Sequence, residues 1–125
     1  MKGATMNNAY KIFDAEYKFM KIVWHHEPVN STALVKLCLD ELGWKKSTTY
    51  TVIKKLRDRG ILENKDAIVR SLVSSDQVRK FESEQLIDKN FEGSLPSFLS
   101  AFLDGKTISE KEADELKKII ESYRG

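Results

Sequence analysis

One cysteine in 125 residues leaves no partner for an internal disulfide and no basis for a metal site built on cysteine pairs. That residue, Cys38, lies in the apolar helical repeat Ala33–Leu42, which predicts a buried core thiol. Two prolines and six glycines are too few for a disordered tail of any length. The only two histidines, His25 and His26, are neighbours. Adjacent residues on a helix point about 100° apart, so the pair cannot share one metal, and no third ligand is near. They are expected at the frayed end of the first helix, and no metal or cofactor is expected anywhere. Glycine-rich phosphate loops, His-Glu-x-x-His and Ser/Cys–His constellations are all missing, so an enzyme is not expected. Long apolar runs are missing too. Met1–Lys11 is polar, with no apolar leader segment, and the longest uncharged run, Gly93–Leu103, has 11 residues. A membrane span needs roughly 20. The expectation is a cytoplasmic protein of a reducing compartment, with no membrane partner.

What the chain does have is segregated charge. Residues 1–60 carry 11 Lys/Arg against 6 Asp/Glu, a formal +5, and residues 61–125 carry 10 against 13, a formal −3. A basic half joined to a mildly acidic one suggests a nucleic-acid-binding module beside a module for something else. The positive charge concentrates between Lys45 and Arg59, where six Lys/Arg face one Asp, a formal +5. Projected at about 100° per residue, Thr49, Val52, Ile53 and Leu56 fall on one side of a helix over Ser47–Arg59. Ser47, Thr51, Lys54, Lys55 and Asp58 face the other way, with Thr48 and Tyr50 on the flanks. Such a helix packs by one face and offers hydroxyls and cations on the other. It suits the DNA major groove, where cations meet phosphates and short polar side chains reach base edges. Taken alone, the same pattern also fits a solvated amphipathic helix.

The neighbouring segments predict a winged helix-turn-helix. Asp14–His25 is a first helix, with Phe19, Met20, Val23 and Trp24 on its packing face. Pro28-Val29-Asn30 breaks it, and Asn30 or Ser31 caps a second helix that runs through Leu42 to Gly43. The basic helix follows and stops at Gly60. Ile61–Glu63 and Ile68–Val73 are two short strands around the turn Asn64-Lys65-Asp66-Ala67. That order makes the third helix the one that enters the groove and the hairpin the wing. Phosphate contacts are expected from Lys45, Lys46, Lys54, Lys55 and Arg57, with Ser47, Thr48, Tyr50 and Thr51 also toward DNA.

Beyond residue 73 the chain is helical. Ser74-x-x-Gln77 and Ser109-x-x-Glu112 are capping-box patterns, opening helices to about Glu92 and to Tyr123. Leu95, Phe98, Leu99, Phe102 and Leu103 form one apolar stripe; Ala113, Leu116, Ile119, Ile120 and Tyr123 form another. An all-α tail this short buries such stripes most easily against a copy of itself. The fold class expected is therefore mainly α with a small β hairpin: a winged helix-turn-helix domain over residues 1–73 and a helical dimerisation region over residues 74–125.

These residues resemble the penicillinase-repressor family of bacterial transcription regulators, which includes the β-lactamase, methicillin-resistance and copper-transport repressors. The likeness runs from about Asp14 to Tyr123. It rests on Asp14-Ala15-Glu16…Phe19-Met20…Val23-Trp24, on Trp44…Thr48…Thr51-Val52…Lys55-Leu56…Arg59-Gly60-Ile61, and on Asn90-Phe91…Gly93-Ser94-Leu95…Phe98…Phe102. The resemblance implies a dimeric winged-helix repressor on an inverted-repeat DNA operator. It places Ser47, Thr48, Thr51 and Lys55 on the DNA-facing side of the recognition helix. It places Phe98, Leu99, Phe102 and the last helix in the dimer-forming region. From Gly60 to Val73 the chain is shorter than the family's pattern, so a clipped wing is expected, with Lys65 and then Arg70 as its DNA contacts. In the antibiotic-responsive members a membrane-bound sensor triggers cleavage at an Asn–Phe bond; the aligned bond here is Ala101–Phe102, which leaves inactivation by such a protease open. The copper-responsive branch ends in Cys-x-Cys pairs, whereas this chain ends Glu121-Ser122-Tyr123-Arg124-Gly125, so copper sensing by that route is not expected. The rival from another class is a winged helix that binds an acidic protein partner through the same basic helix.

Overall fold

Helix α1 (Asp14–His26) begins the described part of the chain's regular structure, and its amphipathic spacing explains how it packs. The computed structural model describes residues 10–125, so most of the polar segment Met1–Lys11 lies outside the described residues. Phe19, Met20, Ile22 and Val23 are buried along one face of α1. His25 and His26 complete its last turn with their rings edge to face, 5.0 Å between centroids. Both are exposed at the end of this helix, where the sequence placed them.

Helix α2 (Ser31–Leu42) follows after Pro28, capped by the Asn30 side chain, which accepts from Thr32 N at 2.8 Å. It buries Leu34 and Cys38 one turn apart. Gly43 ends it in the left-handed conformation, φ 70°, and the chain turns into α3 (Lys46–Asp58). Thr49, Ile53 and Leu56, at i, i+4 and i+7, are the buried face of α3. At its end, Gly60 N donates to Arg57 O at 3.0 Å and Ile61 N to Leu56 O at 2.9 Å. This double closure needs a left-handed residue, and Gly60 supplies it at φ 76°.

The wing is a sheet of three antiparallel strands, ordered β1-β3-β2: β1 (Val29–Asn30), β2 (Leu62–Lys65) and β3 (Ile68–Ser71). Two readings from sequence change here. The hairpin gains the two-residue strand β1, in register with β3 through Val29–Val69 and Asn30–Ile68. The four-residue turn shrinks to Asp66-Ala67, because Asn64 and Lys65 pair with Val69 and Ile68 and extend β2. Both turn residues have positive φ, 52° and 65°, as a tight two-residue hairpin loop requires. Their polarity marked Asn64 and Lys65 as turn residues. In a short strand whose side chains are half-buried or exposed after Leu62, polarity carries no such meaning.

By internal contacts the described chain forms two compact units, one through Gln85 and one from Leu86 to Gly125. The core of the first gathers Phe19, Met20, Val23, Leu34, Cys38, Leu56, Ile61, Leu62, Val69 and Val78, all essentially sealed from solvent. Each large apolar side chain so buried contributes roughly 1.5–3 kcal/mol, which is what holds α3 by its inner face. Helix α4 (Ser75–Phe91) opens on the expected capping box: Gln77 N donates to Ser74 Oγ at 3.0 Å, and Ser74 N to the Gln77 side chain at 2.8 Å. Its first half adds Val78 and Phe81 to that core. The second unit holds the end of α4, then α5 (Leu95–Leu103) and α6 (Glu110–Ser122). Of the second box only one arm forms, Glu112 N to Ser109 Oγ at 3.0 Å. No residue of α5 or α6 is buried.

Candidate nucleic-acid interface

The outer face of α3 is where the sequence-derived contacts come together. With Thr49, Ile53 and Leu56 turned inward, Lys45, Lys46, Ser47, Thr48, Thr51, Lys54, Lys55 and Arg57 are all exposed, and Tyr50 lies at the margin, 36% exposed. Ser47 and Thr51 are exposed among the described residues, so their hydroxyls are open to a ligand. Helix polarity adds to this surface. Lys45 gives no side-chain cap, so the first-turn N–H groups of α3 stay available to an anion.

The cations of this helix are not equivalent. Lys54 Nζ lies 3.2 Å from Asp58 and Arg57 3.3 Å from the same carboxylate. Hydrogen bonding from Lys54, and secondarily from Arg57, lowers the Asp58 pKa from its usual value. Asp58 therefore competes with any phosphate for these two side chains, whereas Lys45, Lys46 and Lys55 make no ion pair among the described residues. Arg59, the sixth cation of the segment, points elsewhere. It donates to Glu16 at 2.8 Å and to the Lys11 carbonyl, and its guanidinium sits over the Phe13 ring. Glu16 also accepts from Phe13 N at 3.0 Å. The end of α3 is thus latched to the start of α1, a role for Arg59 that residue spacing alone does not reveal.

A second latch holds the wing. Glu27, just past α1, accepts from Ser71 N at 2.6 Å and from Ser71 Oγ at 2.9 Å. At the tip, Ser31 N donates to Ala67 O at 2.7 Å, tying the turn to the start of α2. Lys65 stands exposed beside that turn, 3.7 Å from Glu63, and Arg70 is exposed on β3. Glu27 and Ser71 are 44 residues apart, and no local pattern pairs them.

Within the second unit, the proposed association residues divide. Phe98, Leu99, Leu103 and Leu116 are partly covered inside the unit, Phe98 through Phe91 at 5.5 Å and Phe102 at 6.0 Å between ring centroids. Leu95, Phe102, Ile119, Ile120 and Tyr123 are exposed, Tyr123 to 85%. Ala101 is exposed beside Phe102 on α5. Among the described residues no group of His, Cys, Asp or Glu is placed to hold a metal ion, and no helix is long and apolar enough to cross a membrane.

A helix-turn-helix held by its inner face, a short antiparallel wing and a helical tail define a winged helix-turn-helix protein. The chain belongs to the penicillinase repressor family, whose model matches residues 12–122. It is 26% identical over 118 residues to the methicillin resistance regulatory protein MecI of Staphylococcus aureus, covering 91% of this chain and 96% of that one. It is 24% identical over 123 residues to the penicillinase repressor of Bacillus licheniformis, covering 95% and 96%. An uncharacterised 16.5 kDa protein of Latilactobacillus sakei is 25% identical over 117 residues, covering 90% and 80%. Family membership supports a role in repression rather than catalysis.

Proposed function

We propose that this chain is a cytoplasmic, sequence-specific DNA-binding transcriptional repressor that acts as a homodimer on an inverted-repeat operator. In this reading residues 1–73 bind DNA and residues 74–125 dimerise. The observation that carries it is the outer face of α3, where open hydroxyls at Ser47, Thr48 and Thr51 alternate with Lys54 and Lys55 above a fully buried inner face. Hydroxyls and cations in that arrangement recognise base edges and phosphates together. The unburied stripes of α5 and α6 suit a two-fold partner, and a two-fold dimer reads an inverted repeat. Release from DNA through cleavage of Ala101–Phe102 by a sensor-triggered protease belongs to the same proposal, since both residues are exposed.

Footprinting over the DNA upstream of the chain's own coding sequence, repeated across a salt series, tests this function. The expected result is a protected inverted repeat with half-sites about 10 base pairs apart, or a multiple of that. Lys54→Ala with Lys55→Ala should weaken binding on every sequence and flatten the dependence of log affinity on log salt by about 0.9 per lost contact. An unchanged slope takes α3 out of the interface. Failure to bind duplex DNA, with tight binding to an acidic protein, replaces the repressor by an interaction module.

A further inference from the structure

Between α1 and the start of α4, inside the first unit, lies a cleft of about 330 Å³ lined by Tyr17, Lys21, Trp24, His25, Ser75 and Arg79. We propose that this cleft binds a small planar anion, an aromatic carboxylate, independently of the face of α3. Its wall is aromatic and fixed. The Trp24 indole donates to Val73 O at 3.0 Å, which holds the ring and uses its single donor. Tyr17 meets that ring edge-on, 5.9 Å between centroids at 71°. Two half-buried aromatic faces set at such an angle accept a flat ring against one and its edge against the other.

The rim is cationic. Lys21 Nζ stands 5.0 Å over the Tyr17 ring and makes no ion pair among the described residues. Arg79 is held at 2.8 Å by Asp76, which orients the guanidinium and occupies that carboxylate. Ser75 brings a hydroxyl in the first turn of α4, where the helix dipole favours negative charge. No carboxylate is among the described lining residues, but Asp76 already pairs with Arg79, so a ligand carboxylate shares that guanidinium with Asp76 and has Lys21 to itself. An amine meets the like charge of Lys21, a neutral aromatic uses the wall alone, and inorganic phosphate uses the cations alone. A flat carboxylate uses both, which is why the arrangement selects it. The neighbouring groove between α1 and α2 shares Lys21 and His25 but has Lys18, His26 and Glu41 in place of the aromatic wall.

The test is an amide and indole nuclear magnetic resonance titration of the full chain with sodium benzoate, benzamide and inorganic phosphate. The Trp24 indole N–H is the reporter; the Trp44 indole, stacked on Phe19 at 5.8 Å, is the internal control. Benzoate should give saturable shifts at Lys21, Trp24, Ser75 and Arg79 while the Trp44 signal stays still. Benzamide and phosphate should each bind about ten-fold more weakly, as should benzoate to Arg79→Ala, for loss of one charge-assisted contact. His26→Ala should leave benzoate binding unchanged. No saturable shift, or equal binding of benzamide, overturns the proposal. Equal binding of phosphate removes the aromatic requirement and overturns it too. Loss of binding in His26→Ala but not in Arg79→Ala moves the site to the other groove and has the same result.

Discussion

Two threonines two positions apart on α3 show how much one side chain's direction decides. Thr51 is exposed on the outer face, and Thr49 is sealed, with a hydroxyl that among the described residues meets no nitrogen or oxygen partner and has only the Cys38 thiol beside it. Replacing either by valine removes a hydroxyl and keeps the β-branched shape. At Thr51 the expected loss is discrimination between operator and unrelated DNA, with the unfolding midpoint nearly unmoved, because only a base-edge contact disappears. Competition binding on the two DNAs measures it; easier unfolding with intact preference would make Thr51 a packing residue. At Thr49 the expectation inverts. A buried hydroxyl beside nothing better than a thiol carries a desolvation cost, since sulfur is a weak hydrogen-bonding group; burial raises the Cys38 pKa, and the contact with Thr49 offsets this only in part. Thr49→Val should therefore raise stability by about 1 kcal/mol and leave DNA preference alone. Denaturant unfolding decides, and a drop in stability would show that the thiol–hydroxyl contact outweighs the desolvation. Both directions follow from the helical period, so this part of the site was legible in the sequence. The pairing of Lys54 and Arg57 with Asp58 was less so: spacing put them near each other, but only geometry shows the carboxylate engaged by both.

At the scale of elements, the helices were legible and the wing was only partly so. Asn30, Ser74, Gly43 and Gly60 mark helix ends through local chemistry, and the helices begin or end next to each of them. β1 has two residues, too few to show any alternation, and exists because Val69 and Ile68 of β3 lie opposite. The turn was illegible for another reason. Asp66-Ala67 lacks the glycine that normally marks a two-residue hairpin, yet Ala67 sits at φ 65°. A β-carbon in that region costs roughly 1–2 kcal/mol, and the surrounding pairs of β2 and β3 impose it. Ala67→Gly should relieve that strain. After the larger backbone entropy that glycine loses on folding, the net gain should be about 0.5–1 kcal/mol. The bond from Ser31 N to the residue 67 carbonyl involves main chain only and should persist. Thermal and denaturant unfolding of the variant give the answer; equal or lower stability would mean that the turn stores no strain. The latches of Glu16 with Arg59 and Glu27 with Ser71 lay beyond sequence reasoning, since they join residues 43 and 44 positions apart.

At the scale of the whole molecule, the sequence separates a basic half from a mildly acidic one, and the two compact units differ in how they treat apolar surface. The first buries a core of large side chains and leaves Phe13, Leu39 and Leu72 open singly; the second buries none on α5 or α6 and leaves Leu95, Phe102, Ile119, Ile120 and Tyr123 open. In the proposed homodimer these open stripes are the association surface. A dimer that engages two half-sites gains affinity through effective concentration, so splitting it should lose operator binding without any change in α3. Phe98 is a poor probe of that dependence because it packs against Phe91 within its own unit. Phe102 and Ile120 are better: they are 54% and 52% exposed, and within its unit a truncated Phe102 gives up its stacking on Phe98 and the Lys106 ammonium over its ring. Burying each in an interface contributes roughly 1.5–3 kcal/mol, and each occurs twice in a two-fold dimer. Phe102→Ala with Ile120→Ala should therefore weaken dimerisation by several powers of ten. The expected product is a monomer of unchanged helical content that still binds DNA non-specifically through α3 but occupies the full operator poorly. Sedimentation and circular dichroism of the double variant, beside operator binding, check the three parts separately. A dimer that persists would place the interface elsewhere. A monomer that holds the whole operator as tightly as the parent would separate operator affinity from dimerisation and remove cleavage at Ala101–Phe102 as a means of release.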